Sequence, residues 1–179
     1  CPSVRPSSGY KKIRSTSVTF GYSDSEDRLW ARLIDSNELE FRVWITRRLC
    51  SQACKTIVRI LEETTVPTDI GKNQIRVSSE VILAEEHESS LKKPSDPAPD
   101  NKSKKKNKDS PIEMCYSIEI ACNSENWQIK FISQNPSKGF KINTDRQNIH
   151  RILSALLFQS KQANWAIEVE AKWLNEQLR

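Results

Sequence analysis

Six residues within one short stretch carry the most chemistry in this chain. Arg28, Trp30, Arg32, Glu40, Arg42 and Trp44 recur at alternate positions of two neighbouring runs. A guanidinium beside an indole can hold a carboxylate or a phosphate while the ring stacks on a flat partner, so Arg and Trp concentrate at binding surfaces. Indoles turned to water call for cover. Three covers are open: the chain's own tail with Trp165 and Trp173 or the 79–93 stretch, a protein partner or second copy, or the bases of a nucleic acid with its phosphates on the arginines. Arg47 and Arg48 follow, placing two cations at the positive end of a helix dipole. Such a pair would accept an anion beside the first N–H groups, be neutralised by Glu38 or Glu40, or stay solvated.

Catalytic chemistry is thinly represented. Of the two histidines, His87 lies in Glu85-Glu86-His87-Glu88 and His150 follows Ile149. Adjacent residues of a helix point apart, so the first reads as a solvated acidic face and the second as a packed or solvated ring. A pocket that gathered either histidine with carboxylates would reopen acid–base chemistry. There is no HExxH and no paired CxxC, and the four isolated glycines exclude a Walker A loop or a dinucleotide fingerprint. The five cysteines lack a secreted-scaffold spacing; Cys50 and Cys54 fall on an apolar stripe and read as small hydrophobes. No cofactor, no metal and no catalytic residue are expected, and the expected compartment is the cytoplasm.

The elements that must position these residues follow from periodicity. Lys12 to Tyr22 is a weakly patterned strand. In Asp27 to Ile34, Leu29, Ala31 and Leu33 share one face; in Leu39 to Ile45, Leu39, Phe41, Val43 and Ile45 do. A three-residue loop, Asp35 to Asn37, would pair Leu33 with Leu39, Ala31 with Phe41 and Leu29 with Val43. The outer face would then pair Arg32 with Glu40, Trp30 with Arg42 and Arg28 with Trp44. A slip of two residues would set Arg32 against Arg42.

Thr46 is a candidate cap for a helix whose stripe is Leu49, Cys50, Ala53, Cys54, Ile57, Val58 and Leu61, ending near Glu63. Ser79 to Lys93 reads as a helix with Ala84, His87, Glu88 and Leu91 at helical spacing, with a strand over Gln74 to Leu83 as the rival. A second hairpin turns Tyr116, Ile118, Ile120 and Cys122 inward against Trp127, Ile129 and Phe131, pairing Cys122 with Trp127, Ile120 with Ile129 and Glu119 with Lys130. Thr144 and Gln147 form a capping box before Ile149, Ile152, Leu153, Leu156 and Leu157, a helix to about Gln162. The alternation from Trp165 to Trp173 favours a short strand, with a terminal helical turn as the rival.

These readings add up to an α+β fold, two β-β-α units forming a mainly antiparallel sheet with helices on one face. The domain would span 12–179, after a flexible 1–11 and around a disordered insertion at about 91–111. That insertion holds seven lysines and three aspartates, so +4 of the chain's +5 net charge resides there. No apolar run reaches the ~18 residues of a membrane span. The expected function is a non-enzymatic interaction module, an adaptor or a homodimer, binding through Arg28, Trp30, Arg32, Arg42, Trp44, Arg47 and Arg48. The alternative is a nucleic-acid-binding module using the same face with the lysine-rich insertion.

Overall fold

The computed structural model describes residues 12–13, 18–35, 37–66, 68–70, 75–92 and 111–175. Among them the strands are β1 (Lys12–Ile13), β2 (Val18–Ser23), β3 (Arg28–Ile34), β4 (Glu40–Ile45), β5 (Thr68–Ile70), β6 (Ile75–Val77), β7 (Glu113–Asn123), β8 (Asn126–Ser133) and β9 (Phe140–Thr144). The helices are α1 (Arg47–Glu63), α2 (Ser79–Lys92), α3 (Arg146–Gln162) and α4 (Lys172–Asn175). One sheet runs in the order β1-β9-β8-β7-β4-β3-β2, and β5 and β6 form a separate hairpin. Pairing is antiparallel except between β1 and β9 and between β4 and β7. The α+β class with a mostly antiparallel sheet therefore holds. Each of α1 and α3 follows three strands rather than two, because β2 and β9 extend the two hairpins into meanders.

The alternation in β3 and β4 sets which side of the sheet the core occupies. Leu29, Ala31, Leu33, Val43 and Ile45 are wholly buried, as are Cys50, Cys54, Ile57 and Leu61 of α1. Every position of the expected α1 stripe is buried, and Thr46 Oγ1 accepts the Leu49 N–H as its cap. The two thiols are small core hydrophobes; the Cys54 thiol is raised by its hydrogen bond with Cys50 and by burial. Helix α1 packs on β7, α3 on β2 and β8, and α2 on α3 and α4. Their apolar stripes join the same core as the inner strand positions, so these helices cover one face of the sheet.

The first hairpin is paired two residues away from the expected register: Leu29 opposes Ile45, Ala31 opposes Val43, Leu33 opposes Phe41, and Arg32 does face Arg42. The loop spans 35–39 and Asp35 is its hub. Its Oδ1 accepts the N–H groups of Asn37 and Leu39 at 2.8 and 2.9 Å, and its own N–H donates to Leu39 O. Glu38, not Asn37, takes the left-handed conformation, and Leu39 is left 40% exposed. Bonds from N–H groups to a carboxylate contribute about 1.5–3 kcal/mol each, whereas each outer pair of the expected register offers about 0.2–1 kcal/mol. The loop wins.

The second hairpin keeps the expected register, with Cys122 opposite Trp127, Ile120 opposite Ile129 and Glu119 opposite Lys130. A bulge between Cys115 and Ser117 reverses parity below it, so Cys115 enters the core and Tyr116, expected inside, is 53% exposed. In the middle segment both readings are partly met: β6 occupies Ile75–Val77, and the helix follows. The buried positions of α2 are Leu83, His87 and Ser90 rather than a face ending at Leu91, which is exposed. Asp145, one residue after Thr144, caps α3 by accepting the Asn148 N–H. From 164 to 171 no strand forms; a helical turn, α4, follows, with Trp165, Ala171, Trp173 and Leu174 buried. Residues 91 and 92 close α2, while the rest of the expected insertion to 110 and the expected loose 1–11 lie outside the described residues. No helix among the described residues is long and apolar enough to cross a membrane.

Candidate functional site

The strands β2, β3 and β4 hold the candidate surface residues on the side of the sheet away from the helices. Arg28, Trp30, Arg32, Arg42 and Trp44 are each half-buried. In the observed register Trp30 opposes Trp44 directly, which replaces the expected pairs of Trp30 with Arg42 and Arg28 with Trp44. Trp30 also opposes Gly21 of β2, and its indole lies over that glycine so closely that a Cβ there would clash with it. Glycine at 21 is thus the seat for the ring.

Arg32 and Arg42, like charges in one cross-strand pair, are reconciled by Glu40. Its Oε1 stands 3.1 Å from Arg32 Nε and 3.3 Å from Arg42 Nε. Arg28 stands 3.8 Å from Glu26. The parallel pairing of β4 with β7 places Met114 beside Trp44, and the bulge turns Tyr116 outward next to it. Sequence reading missed these two because it had no ground for joining β4 to β7. Among the described residues the two tail tryptophans lie elsewhere: Trp165 packs edge-on against Tyr22, a neighbour of Leu29 on the core side, and Trp173 lies among helices. Arg47 and Arg48 are exposed in the first turn of α1, which holds no acidic residue. Glu40 is engaged with Arg32 and Arg42 instead.

A second polar cluster joins residues that the sequence reading kept apart. His87 of α2 and His150 of α3 are 4% and 1% exposed and face each other at 3.0 Å between their Nδ1 atoms. His150 Nε2 lies 3.2 Å from Glu86 Oε2, and Arg146 Nε donates to the same oxygen at 2.8 Å. Arg146 also donates to Thr64 and Thr65 Oγ1 and to Leu61 O, closing the C-terminal end of α1. Burial works to raise the Glu86 carboxyl, but hydrogen bonds from His150 and Arg146 outweigh it and hold the group below its usual range. A groove of about 370 Å³ runs above, lined by Ile82, Glu86, Ser89, Arg146, Gln147 and His150 among others.

This groove gathers a histidine with carboxylates, as acid–base chemistry would need. Yet both ring nitrogens of His150 are engaged within the protein, one with Glu86 and one with His87. The one signal for His87 in the sequence was its position four residues after Leu83, on the buried side of its helix. Among the described residues no group of three or more His, Cys, Asp or Glu is placed to hold a metal ion. The chain matches no protein-family model, and comparison with curated proteins and with solved structures likewise finds no match.

Proposed function

We propose that the chain is a non-enzymatic protein-interaction module that docks a partner, or a second copy, on the outer face of β2, β3 and β4. The observation that supports this most is the direct pairing of Trp30 with Trp44 on the side of the sheet away from the helices, extended by Met114 and the exposed Tyr116. Flat, stiff indoles provide contact area at low entropic cost, and the surrounding ion pairs form a polar rim. Glu40 favours a protein over a nucleic acid. A stacking platform for bases needs cations turned to phosphates, whereas here one carboxylate lies between Arg32 and Arg42. A partner surface of mixed charge around an apolar centre suits that arrangement.

The test combines three measurements on the full chain and on a Trp30→Ser, Trp44→Ser double variant shown to be folded by circular dichroism. Acrylamide quenching of the dilute wild type is expected to reach both indoles. Sedimentation velocity over a range of concentrations reports self-association, expected to vanish in the double variant if the partner is a second copy. Anisotropy with a labelled single-stranded oligonucleotide at two salt concentrations reads the alternative. Indoles shielded in the dilute monomer, or salt-sensitive oligonucleotide binding lost in the double variant, would overturn the proposal.

A further inference from the structure

The facing nitrogens of His87 and His150, 3.0 Å apart, have room for one proton between them. Glu86 fixes the rest of the count. Its ionised Oε2 accepts from His150 Nε2, so that nitrogen carries a hydrogen. With His150 neutral, its Nδ1 is bare and His87 donates to it from Nδ1. One added proton is accommodated: it enters on His87 Nε2 while the Nδ1 hydrogen of His87 passes to His150, which becomes an imidazolium donating to Glu86 and to the now bare His87 Nδ1. A further proton has no such place. Both facing nitrogens would then carry hydrogens, pressing two cations together out of water.

The surroundings offer that second charge no partner. Glu86 of α2 already serves both His150 and Arg146 of α3, and Arg151 of α3 donates to Ser90 O. From α1, Glu62 accepts the Trp173 Nε1–H, and α4 contributes Trp173 itself, edge-on to His87 and His150 at 5.6 and 6.0 Å. Among the described residues no carboxylate bonds to His87. Burial, and then the charge on His150, push His87 down to about 4. We propose that the His87–His150 pair is a proton-operated latch, and that a second proton on it parts α2 from α3 and frees Trp173 with α4, giving the protein an acid-opened state. This device is independent of the sheet face, which lies across the core.

The test is amide hydrogen exchange of the full chain from pH 7 to 4.5, corrected for intrinsic exchange, with imidazole nitrogen signals followed in parallel. Two histidines in the chain make those signals separately readable. An exposed imidazole titrates near ~6.5, and a one-proton opening grows tenfold per pH unit below that. Protection of α2 and α4 is therefore expected to fall about 20-fold between pH 6 and pH 4.5 while β3, β4 and α1 keep theirs. His87→Gln keeps an N–H donor for His150 Nδ1 but cannot titrate, so its loss should stay within about threefold. Should that variant not fold, His87→Asn, which offers an amide N–H nearer the position of Nδ1 and likewise cannot titrate, is expected to behave alike. Equal loss in variant and wild type, unchanged α2 protection down to pH 4.5, or strands and helices opening together would overturn the latch. So would His87 protonation out of step with the wild-type opening.

Discussion

Two polar clusters in this molecule use the same side chains to opposite ends. On the open sheet face, Arg32, Glu40 and Arg42 come from one hairpin, within ten residues of each other, and each is partly in contact with water. At the helical junction, Glu86, Arg146, His150 and His87 are drawn from α2 and α3, some 60 residues apart, and end in two imidazoles sealed from solvent. The first cluster, partly in water, is expected to contribute little to stability. The second holds helices together and has few ways to adapt when a charge changes. Ion pairs near water are worth about 0–1 kcal/mol, whereas removing one partner of a buried network costs several.

The largest effect is expected from Arg146→Ala. It leaves Glu86, Thr64, Thr65 and Leu61 O without their shared donor, and, because Arg146 and Glu86 are partly exposed, the loss in chemical denaturation comes from these hydrogen bonds, about 2–3 kcal/mol in all. A loss below about 1 kcal/mol would place the junction in the same class as the surface cluster.

Acidification ranks next. His87 in the folded state lies at about 4, below the ordinary ~6.5 of the unfolded chain. Between those values the unfolded chain binds the extra proton, so stability must fall as pH drops through this window, by about 2 kcal/mol from pH 7 to 4.5. Glu86, held below its usual range, acts in the same sense, its contribution being lost at still lower pH. Denaturant midpoints across pH, wild type against His87→Gln, measure the share that belongs to His87.

On the sheet face the effects are smaller. Gly21→Ala puts a methyl where the Trp30 indole lies, so the ring must swing off β2. The expected cost is about 1–2 kcal/mol, with a red-shifted, more readily quenched Trp emission. Glu40→Gln should change stability by less than about 1 kcal/mol. It removes the carboxylate between Arg32 and Arg42, and is expected to strengthen oligonucleotide binding at low salt in the anisotropy assay. A large stability loss from Glu40→Gln would erase the contrast between the two clusters.

Legibility in the sequence followed the range of the interaction. The inner parity of Leu29, Ala31, Leu33, Val43 and Ile45, the seven-residue stripe of α1 and the register of the second hairpin above its bulge could be read directly. The first hairpin was misread because its outer charge pairs looked decisive when a buried loop carboxylate, Asp35, outweighs them. Tyr116 was misread because a one-residue bulge reverses parity and leaves no local mark. The surface candidates were found as residues, but their arrangement was not: Trp30 meets Trp44, and Gly21, Met114 and Tyr116 complete the surroundings.

By itself, then, the chain determined the inward parity of β3, β4 and β8 and where its two long helices run, since a period of two or of 3.6 is written in residues that are near neighbours. The tertiary structure decided the pairing of β4 with β7, the seat of Trp30 on Gly21 and the meeting of His87 with His150. Those contacts bring together segments whose local patterns are compatible with several partners. Only packing the whole sheet against the whole helical layer distinguishes among them.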